Sequence, residues 1–146
     1  MRNINYIIVH CSATREDRCL TVAALEAEHR RRGFDGIGYH YYVRKDGTVL
    51  STRPLAKVGA HCRGYNRYSI GICYEGGLDS QGRAKDTRTP EQRMALRQLV
   101  ARLLRRFHNA RVCGHRDLSP DLNGDGRITS DEWTKQCPCF EVAKEL

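Results

Sequence analysis

The sequence predicts a single α/β domain in which a central mixed β-sheet is flanked by α-helices. Three observations carry this prediction. The chain has 146 residues, which is enough for one packed core and short for two. Short apolar runs rich in β-branched residues alternate with stretches of helical periodicity. No internal repeat or linker interrupts the chain, so we expect one domain over residues 1–146.

The first predicted elements are a strand and a helix. Residues 4–9 form an apolar, β-branched run that is typical of a buried strand and that ends at His10. Thr21 is the expected N-cap of a helix that continues to Arg32. Gly33 follows directly and is the expected stop.

Two further strands and a hairpin are predicted in the middle of the chain. Residues 39–43 have the composition of a strand, and a two-residue Asp46-Gly47 turn should return the chain through residues 48–50. Residues 69–74 then form another apolar run. We therefore expect a hairpin followed by a buried strand.

The clearest helix begins at a capping box made by Thr89 and Gln92, with Pro90 at the first helical position. Residues 111–114 predict a short strand that ends at His115, and the rest of the chain is irregular. The helix carries an apolar stripe that we expect to lie in the core: Met94, Leu96, Leu99, Val100, Leu103, Leu104 and Phe107.

The composition limits the classes of function. A net charge of +8 favours polyanionic partners, either nucleic acid or an anionic cell-wall polymer, and equally a solvated basic surface. The apolar runs are too short to span a membrane, and residues 1–6 lack the features of a secretory signal. We expect synthesis in the cytoplasm, reduced thiols, no membrane insertion and a monomer.

Two histidines each directly follow a predicted strand, at sheet ends where reactive groups gather. His10 and His115 could converge with a thiolate such as Cys137 into a three-ligand zinc site that leaves one position for water. Six histidines and seven cysteines allow many other triplets. Cys139 and Cys113 are the nearest rivals to Cys137, and spacing alone leaves the choice open.

The local motifs narrow the choice. In chain order they are Ile8-Val9-His10-Cys11-Ser12-Ala13-Thr14, Gly38-Tyr39-His40-Tyr41, His61 with Gly64-Tyr65-Asn66, Ser69-Ile70-Gly71-Ile72, Gly114-His115 and Lys135-Gln136-Cys137-Pro138. Together they resemble the phage-lysozyme type of N-acetylmuramoyl-L-alanine amidase, a family that includes type-2 amidases and peptidoglycan recognition proteins. The resemblance covers nearly the whole chain.

The resemblance implies a zinc amidase that hydrolyses the amide bond between the lactyl group of N-acetylmuramic acid and L-alanine of peptidoglycan. It implies zinc ligation by His10, His115 and Cys137. It makes Tyr39 and Lys135 the catalytic residues, in keeping with donors that stabilise an oxyanion. It also makes two residues of a glycine-rich loop substrate contacts: His61 and Asn66.

Two rival functions remain at this stage. Some relatives of this fold bind peptidoglycan without cutting it, typically after losing the cysteine ligand, but Cys137 is present here. A nucleic-acid binder would concentrate basic residues on one element with interleaved aromatic residues. The dense arginine runs at residues 30–32 and 102–106 lie instead on the polar faces or ends of helices. We therefore expect peptidoglycan as partner, no nucleic acid, and access to the wall through a partner such as a holin.

A loop insertion at about residues 119–133 departs from the phage-type pattern. Residues 121–132 match the twelve-residue calcium loop of EF-hands, with Gly126 at the sharp turn. Pro120 and Pro138 leave little room for the flanking helices, so an acidic turn without metal is the alternative. The candidate calcium ligands are Asp121, Asn123, Asp125, the backbone carbonyl of Arg127, and Glu132.

Overall fold

A computed structural model describes residues 2–133 and 135–146. A five-stranded mixed sheet forms the centre, in the order β4-β3-β5-β1-β7. β1 pairs in parallel with β5 and β7, and β3 pairs in parallel with β5 and antiparallel with β4. The predicted α/β class and mixed sheet are confirmed. The main-sheet strands are β1 (Tyr6–Cys11), β3 (Tyr41–Val43), β4 (Val49–Ser51), β5 (Ser69–Tyr74) and β7 (Arg111–Gly114).

The remaining elements surround this sheet. Two short strands pair in parallel beside it, and three helices and three 3-10 turns complete the described chain. The short strands are β2 (Thr14–Arg15) and β6 (Gly77–Leu78), and the helices are α1 (Val22–Arg31), α2 (Pro90–Arg106) and α3 (Val142–Glu145). The 3-10 turns are Asn66–Tyr68, His115–Leu118 and Ser130–Glu132.

The interior strand β1 contributes to both faces of the sheet, because alternate side chains point to opposite sides. Ile7 and Val9 belong to the larger core, which they share with the apolar face of α2. Ile8 belongs to a smaller cluster that contains Cys62 and Cys113. His10 follows the alternation of Ile8. It therefore lies on the face of the sheet opposite to α2.

Both long helices begin where their caps predict. The Thr21 side chain accepts a hydrogen bond from the backbone of Ala24, and Thr89 and Gln92 form the reciprocal capping box. One prediction for α2 is wrong. Met94 is 63% exposed, because it lies beyond the edge of the buried stripe formed by Ala95, Leu96, Leu99, Val100 and Leu103.

The β3–β4 hairpin differs from its prediction in two details. Val43 pairs with Val49, and the backbone N–H of Arg44 donates to the Thr48 carbonyl, so three residues and not two form the tip. Gly47 takes the left-handed conformation at φ +88°, as three-residue hairpins require. The strand also begins at Tyr41 and not at residue 39.

The C-terminal segment returns along the edge strand β7. Tyr74 donates a hydrogen bond of 2.6 Å to the backbone carbonyl of Pro138. Gly114 allows the approach, since a Cβ there would lie 2.6 Å from Cδ of Pro138 and 3.2 Å from Cγ2 of Val142. Across the ranges described above, no helix combines the length and apolarity needed to cross a bilayer.

Candidate metal centre and groove

Three side chains from distant parts of the chain meet at the carboxyl end of the central strands. Val9 pairs with Gly114, so the next residues, His10 and His115, lie side by side. Their ring centroids are 4.7 Å apart. Potential ligand atoms of His10, His115 and Cys137 all lie within 4.8 Å of one another. This cluster could hold a metal ion.

Backbone N–H groups next to both histidines hold Cys137 in place, one on β1 and one in the 3-10 turn that follows β7. The backbone N–H of Cys11 donates to the Cys137 Sγ at 3.1 Å. The backbone N–H of Arg116 donates to the Cys137 carbonyl at 2.9 Å. An N–H donor of this kind stabilises a thiolate, which is the form that binds metal.

The rival thiols lie elsewhere. The Cys139 Sγ donates to the Gly77 carbonyl at 3.4 Å, and Cys113 is buried in the small cluster with Ile8. Neither belongs to the converging set within the described part of the chain. Cys11 is buried, as expected, and a hydrogen bond with the Cys137 thiol is the main cause that raises its pKa to about 12.

The protonation state of His10 suits metal binding. Burial holds its pKa well below the usual value, and the neighbouring His61, His115 and Lys135 lower it further. The imidazole is therefore neutral at neutral pH and keeps a lone pair for a metal.

The two predicted catalytic residues line the same groove as the metal ligands. This groove, with a volume of about 680 Å³, lies on the side of the sheet opposite to α2. The Tyr39 ring centroid is 5.1 Å from that of His10. Burial raises the pKa of Tyr39 well above its usual value, so its hydroxyl remains a donor at neutral pH. Lys135 is exposed on the groove wall.

The two predicted substrate contacts also line the groove, but both ring nitrogens of His61 and the amide oxygen of Asn66 have partners within the protein. Asn66 Oδ1 accepts hydrogen bonds from the backbone N–H groups of His61 and Cys62, at 3.0 and 2.9 Å. His61 Nδ1 lies 2.9 Å from His10 Nε2, and His61 Nε2 lies 3.2 Å from Ser69 Oγ. Substrate contact by either residue stays a prediction.

Sequence reasoning missed a histidine that supports Tyr39. His29 is buried, and its Nδ1 accepts a hydrogen bond of 2.9 Å from the backbone N–H of Gly38. Its ring centroid is 5.4 Å from that of Tyr39. The i, i+4 spacing of Leu25 and His29 on α1 is the signal that could have identified it. Other unpredicted groove residues are Glu28, Arg32, Phe34 and Arg63.

The inserted loop forms a compact acidic turn. Both Asp121 oxygens accept backbone hydrogen bonds, from Gly124 at 3.1 Å and from Gly126 at 2.8 Å. Glu132 is 3% exposed and accepts from backbone groups on both sides of the loop. Carboxylate oxygens of Asp121, Asp125 and Glu132 lie within 4.8 Å of one another.

A cation–π contact connects this loop to the candidate metal centre. The Arg116 guanidinium lies 3.8 Å from the ring centroid of Trp133. Arg116 adjoins His115, and Trp133 adjoins Glu132. The end of the loop is therefore packed against the residue next to a candidate metal ligand.

Known proteins are similar to this chain in sequence and in fold. Residues 1–139 match the family model described as N-acetylmuramoyl-L-alanine amidase. The endolysin of Enterobacteria phage T3 is 34% identical over 138 residues, which span 94% of this chain and 82% of the endolysin.

Solved structures agree with this match. The amidase LysC from Clostridium intestinale URNW has a TM-score of 0.74 and 28% identity, covering 99% of this chain and 82% of LysC. A complex of peptidoglycan recognition proteins LCa and LCx with tracheal cytotoxin gives a TM-score of 0.72 and 28% identity, covering 99% of this chain and 81% of the other.

Proposed function

Because the chain belongs to the N-acetylmuramoyl-L-alanine amidase family, we propose that it is a zinc-dependent enzyme that cleaves the bond between the lactyl group of N-acetylmuramic acid and L-alanine. Family membership and the similarity to phage endolysins support peptidoglycan amidase activity. The observation that carries the zinc proposal is the convergence of His10, His115 and Cys137 inside the groove.

The donor set fits zinc. Two neutral imidazoles and one thiolate are ligands that zinc prefers, and three protein ligands leave a fourth tetrahedral position for water or substrate. Zinc held there would supply a Lewis acid for the scissile carbonyl and a water whose pKa is lowered to about 7. His10, His115 and Cys137 all line the groove, so a substrate bound in the groove would contact the metal.

The zinc ligands can be tested by paired cysteine variants. Purified protein should carry close to one zinc, and Cys137→Ala should lose both the metal and the activity. Cys139→Ala is the matched control, since that thiol lies two residues away and bonds to Gly77. Loss of zinc from the control alone would show that the ligand assignment is wrong.

In this proposal Tyr39 and Lys135 act on the charge that develops on the carbonyl oxygen. Tyr39 keeps its proton because burial raises its pKa, and the side chain of Lys135, which lines the same groove, adds positive charge. Removing one such donor typically costs on the order of a hundredfold in turnover. Tyr39→Phe and Lys135→Ala should therefore lose rate while retaining zinc. Unchanged turnover would assign them a structural role.

The main alternative is a module that binds peptidoglycan without cutting it. Digestion of purified peptidoglycan with and without a zinc chelator, followed by mass spectrometry of the new termini, separates the two. New L-alanine amino termini that vanish with chelator support the amidase. Retention of the protein on the wall without new termini would support the binding module.

We expect the enzyme to act as a monomer and to bind peptidoglycan or its fragments, with no role for nucleic acid. The arginines at positions 30–32 and 102–106 are exposed, which agrees with solvated charge. Release to the wall through a partner such as a holin stays a prediction.

A second proposal concerns calcium at residues 121–132. The motif supplies several oxygen ligands, and three of its carboxylates converge. The stacking of Trp133 on Arg116 would let a bound ion order the segment that precedes Lys135. Calorimetric titration of zinc-loaded protein should show a calcium event that Asp125→Ala and Glu132→Ala remove and that Asp35→Ala, an exposed control, retains. No heat and no change in melting temperature at millimolar calcium would leave an acidic turn held by its own hydrogen bonds.

A further inference from the structure

His61 lies against His10 of the candidate metal centre, and both of its ring nitrogens have partners. Its Nδ1 is 2.9 Å from His10 Nε2, and its Nε2 is 3.2 Å from Ser69 Oγ. The rings of His10 and His61 meet edge-on, with centroids 4.9 Å apart. Among the described residues His61 is not part of the converging ligand set.

This contact determines which nitrogen of His10 can bind a metal. Nε2 faces His61, which leaves Nδ1 as the ring nitrogen of His10 that has no partner within the described part of the chain. A metal on Nδ1 leaves the proton of the neutral ring on Nε2. That N–H then donates to His61 Nδ1, and His61 carries its own proton on Nε2, directed at Ser69 Oγ.

Two glycines leave the space that the His61 ring occupies. A Cβ at Gly71 would lie 2.7 Å from both Cγ and Cδ2 of His61, and a Cβ at Gly59 would lie 2.7 Å from Cδ2. Side chains at either position would displace the imidazole. The Asn66 side chain fixes the backbone on the remaining side by accepting from the N–H groups of His61 and Cys62.

We infer that His61 is a positioning residue for the metal centre. Its Nδ1 accepts a hydrogen bond from Nε2–H of His10 and so holds the His10 Nδ1 toward the metal. This inference rests on the proposed zinc site. Outer partners of this kind fix the tautomer and the ring orientation of a ligating histidine. Because this partner is a neutral imidazole and not a carboxylate, it adds no negative charge to the site.

The test measures zinc affinity by competition with a chelator, independently of activity. His61→Ala should weaken zinc binding by about 10- to 100-fold, the range seen when an outer-shell partner is removed. His61→Asn should recover part of this loss, because its Oδ1 lies near the place of the imidazole Nδ1. His108→Ala, at an exposed histidine, is the control and should bind as the parent does.

A second variant leaves His61 in place. Gly71→Ala should displace the ring and weaken zinc binding in the same direction. In the unmutated zinc-loaded protein, nitrogen-15 NMR should show His10 protonated at Nε2 and metal-bound at Nδ1. The opposite tautomer would overturn the inference without any mutation.

The outcomes separate this inference from the proposed function. If Cys137→Ala loses zinc while His61→Ala binds zinc as tightly as the parent, the positioning role is wrong and the zinc site stands. If His61→Ala raises KM with unchanged zinc affinity, the residue contacts substrate and the inference also fails. If Cys137→Ala keeps its zinc, the proposed metal site itself is wrong.

Discussion

Replacing Gly114 with alanine should weaken metal binding through packing alone. The added Cβ would lie 2.6 Å from Cδ of Pro138, about 1 Å closer than ordinary carbon–carbon contact. The Pro138 carbonyl accepts a hydrogen bond from Tyr74 and Val142 is fully buried, so neither residue can move by itself. We therefore expect the whole segment that begins at Cys137 to shift. Overpacking typically costs about 1–3 kcal/mol. If metal binding must restore the original position, zinc affinity falls by roughly 5- to 150-fold.

Chelator competition and melting temperature, measured with and without zinc, check this prediction. Gly36→Ala is the matched control, because its nearest contact is the flexible end of Arg30 at 3.9 Å. The control should retain the parental zinc affinity. Parental affinity in Gly114→Ala would refute the reasoning, and so would a loss of stability with unchanged affinity, since the strain would then be relieved away from Cys137.

Three further predictions follow from the fold. Thr89→Ala should lower the free energy of unfolding in urea by about 1–2 kcal/mol, because it removes the α2 cap and a hydrogen bond to the Lys45 carbonyl; an unchanged midpoint would contradict this. Burial lowers the pKa of His40 from 6.5 to about 4, so on acidification the unfolded chain binds a proton before the folded chain does. The free energy of unfolding should therefore fall by roughly 3 kcal/mol at most between pH 6.5 and 4. If His40→Gln shows the same dependence of unfolding free energy on pH as the parent, this prediction is wrong. Met94→Lys should change stability by less than about 0.5 kcal/mol, whereas a core position would lose several times more.

Local signals predicted most of the elements. The caps at Thr21 and Thr89 act within one turn of helix, so four residues contain the whole signal. The strands over residues 69–74 and 111–114 were predicted at their observed bounds. The predictions for the hairpin tip and for the burial of Met94 were wrong, because strand register decides the first and the position of the packing partner decides the second. Neither is encoded in the local sequence.

The metal cluster was predictable as a set of residues, but not from spacing. His10 lies near the end of β1 and His115 directly follows β7, its parallel neighbour, which places both at the carboxyl end of the sheet. The choice of Cys137 over Cys139 and Cys113 needed the family resemblance. The contact between His61 and His10 depends on a loop that crosses the end of β1. No sequence pattern indicates it, because His61 lies in a loop and does not follow a predicted strand, so nothing local fixes its position relative to the sheet.

The placement of β1 between β5 and β7 has a consequence for biosynthesis. The first strand emerges from the ribosome long before its two neighbours, and both of its hydrogen-bonding edges stay unpaired until residues 69–74 and 111–114 have followed. Pairing of such distant segments is slow, because a long loop must close first. The side chains at positions 10, 115 and 137 can therefore converge only after β5, β7 and the segment around Cys137 have all been synthesised, which makes the candidate metal centre a late product of folding.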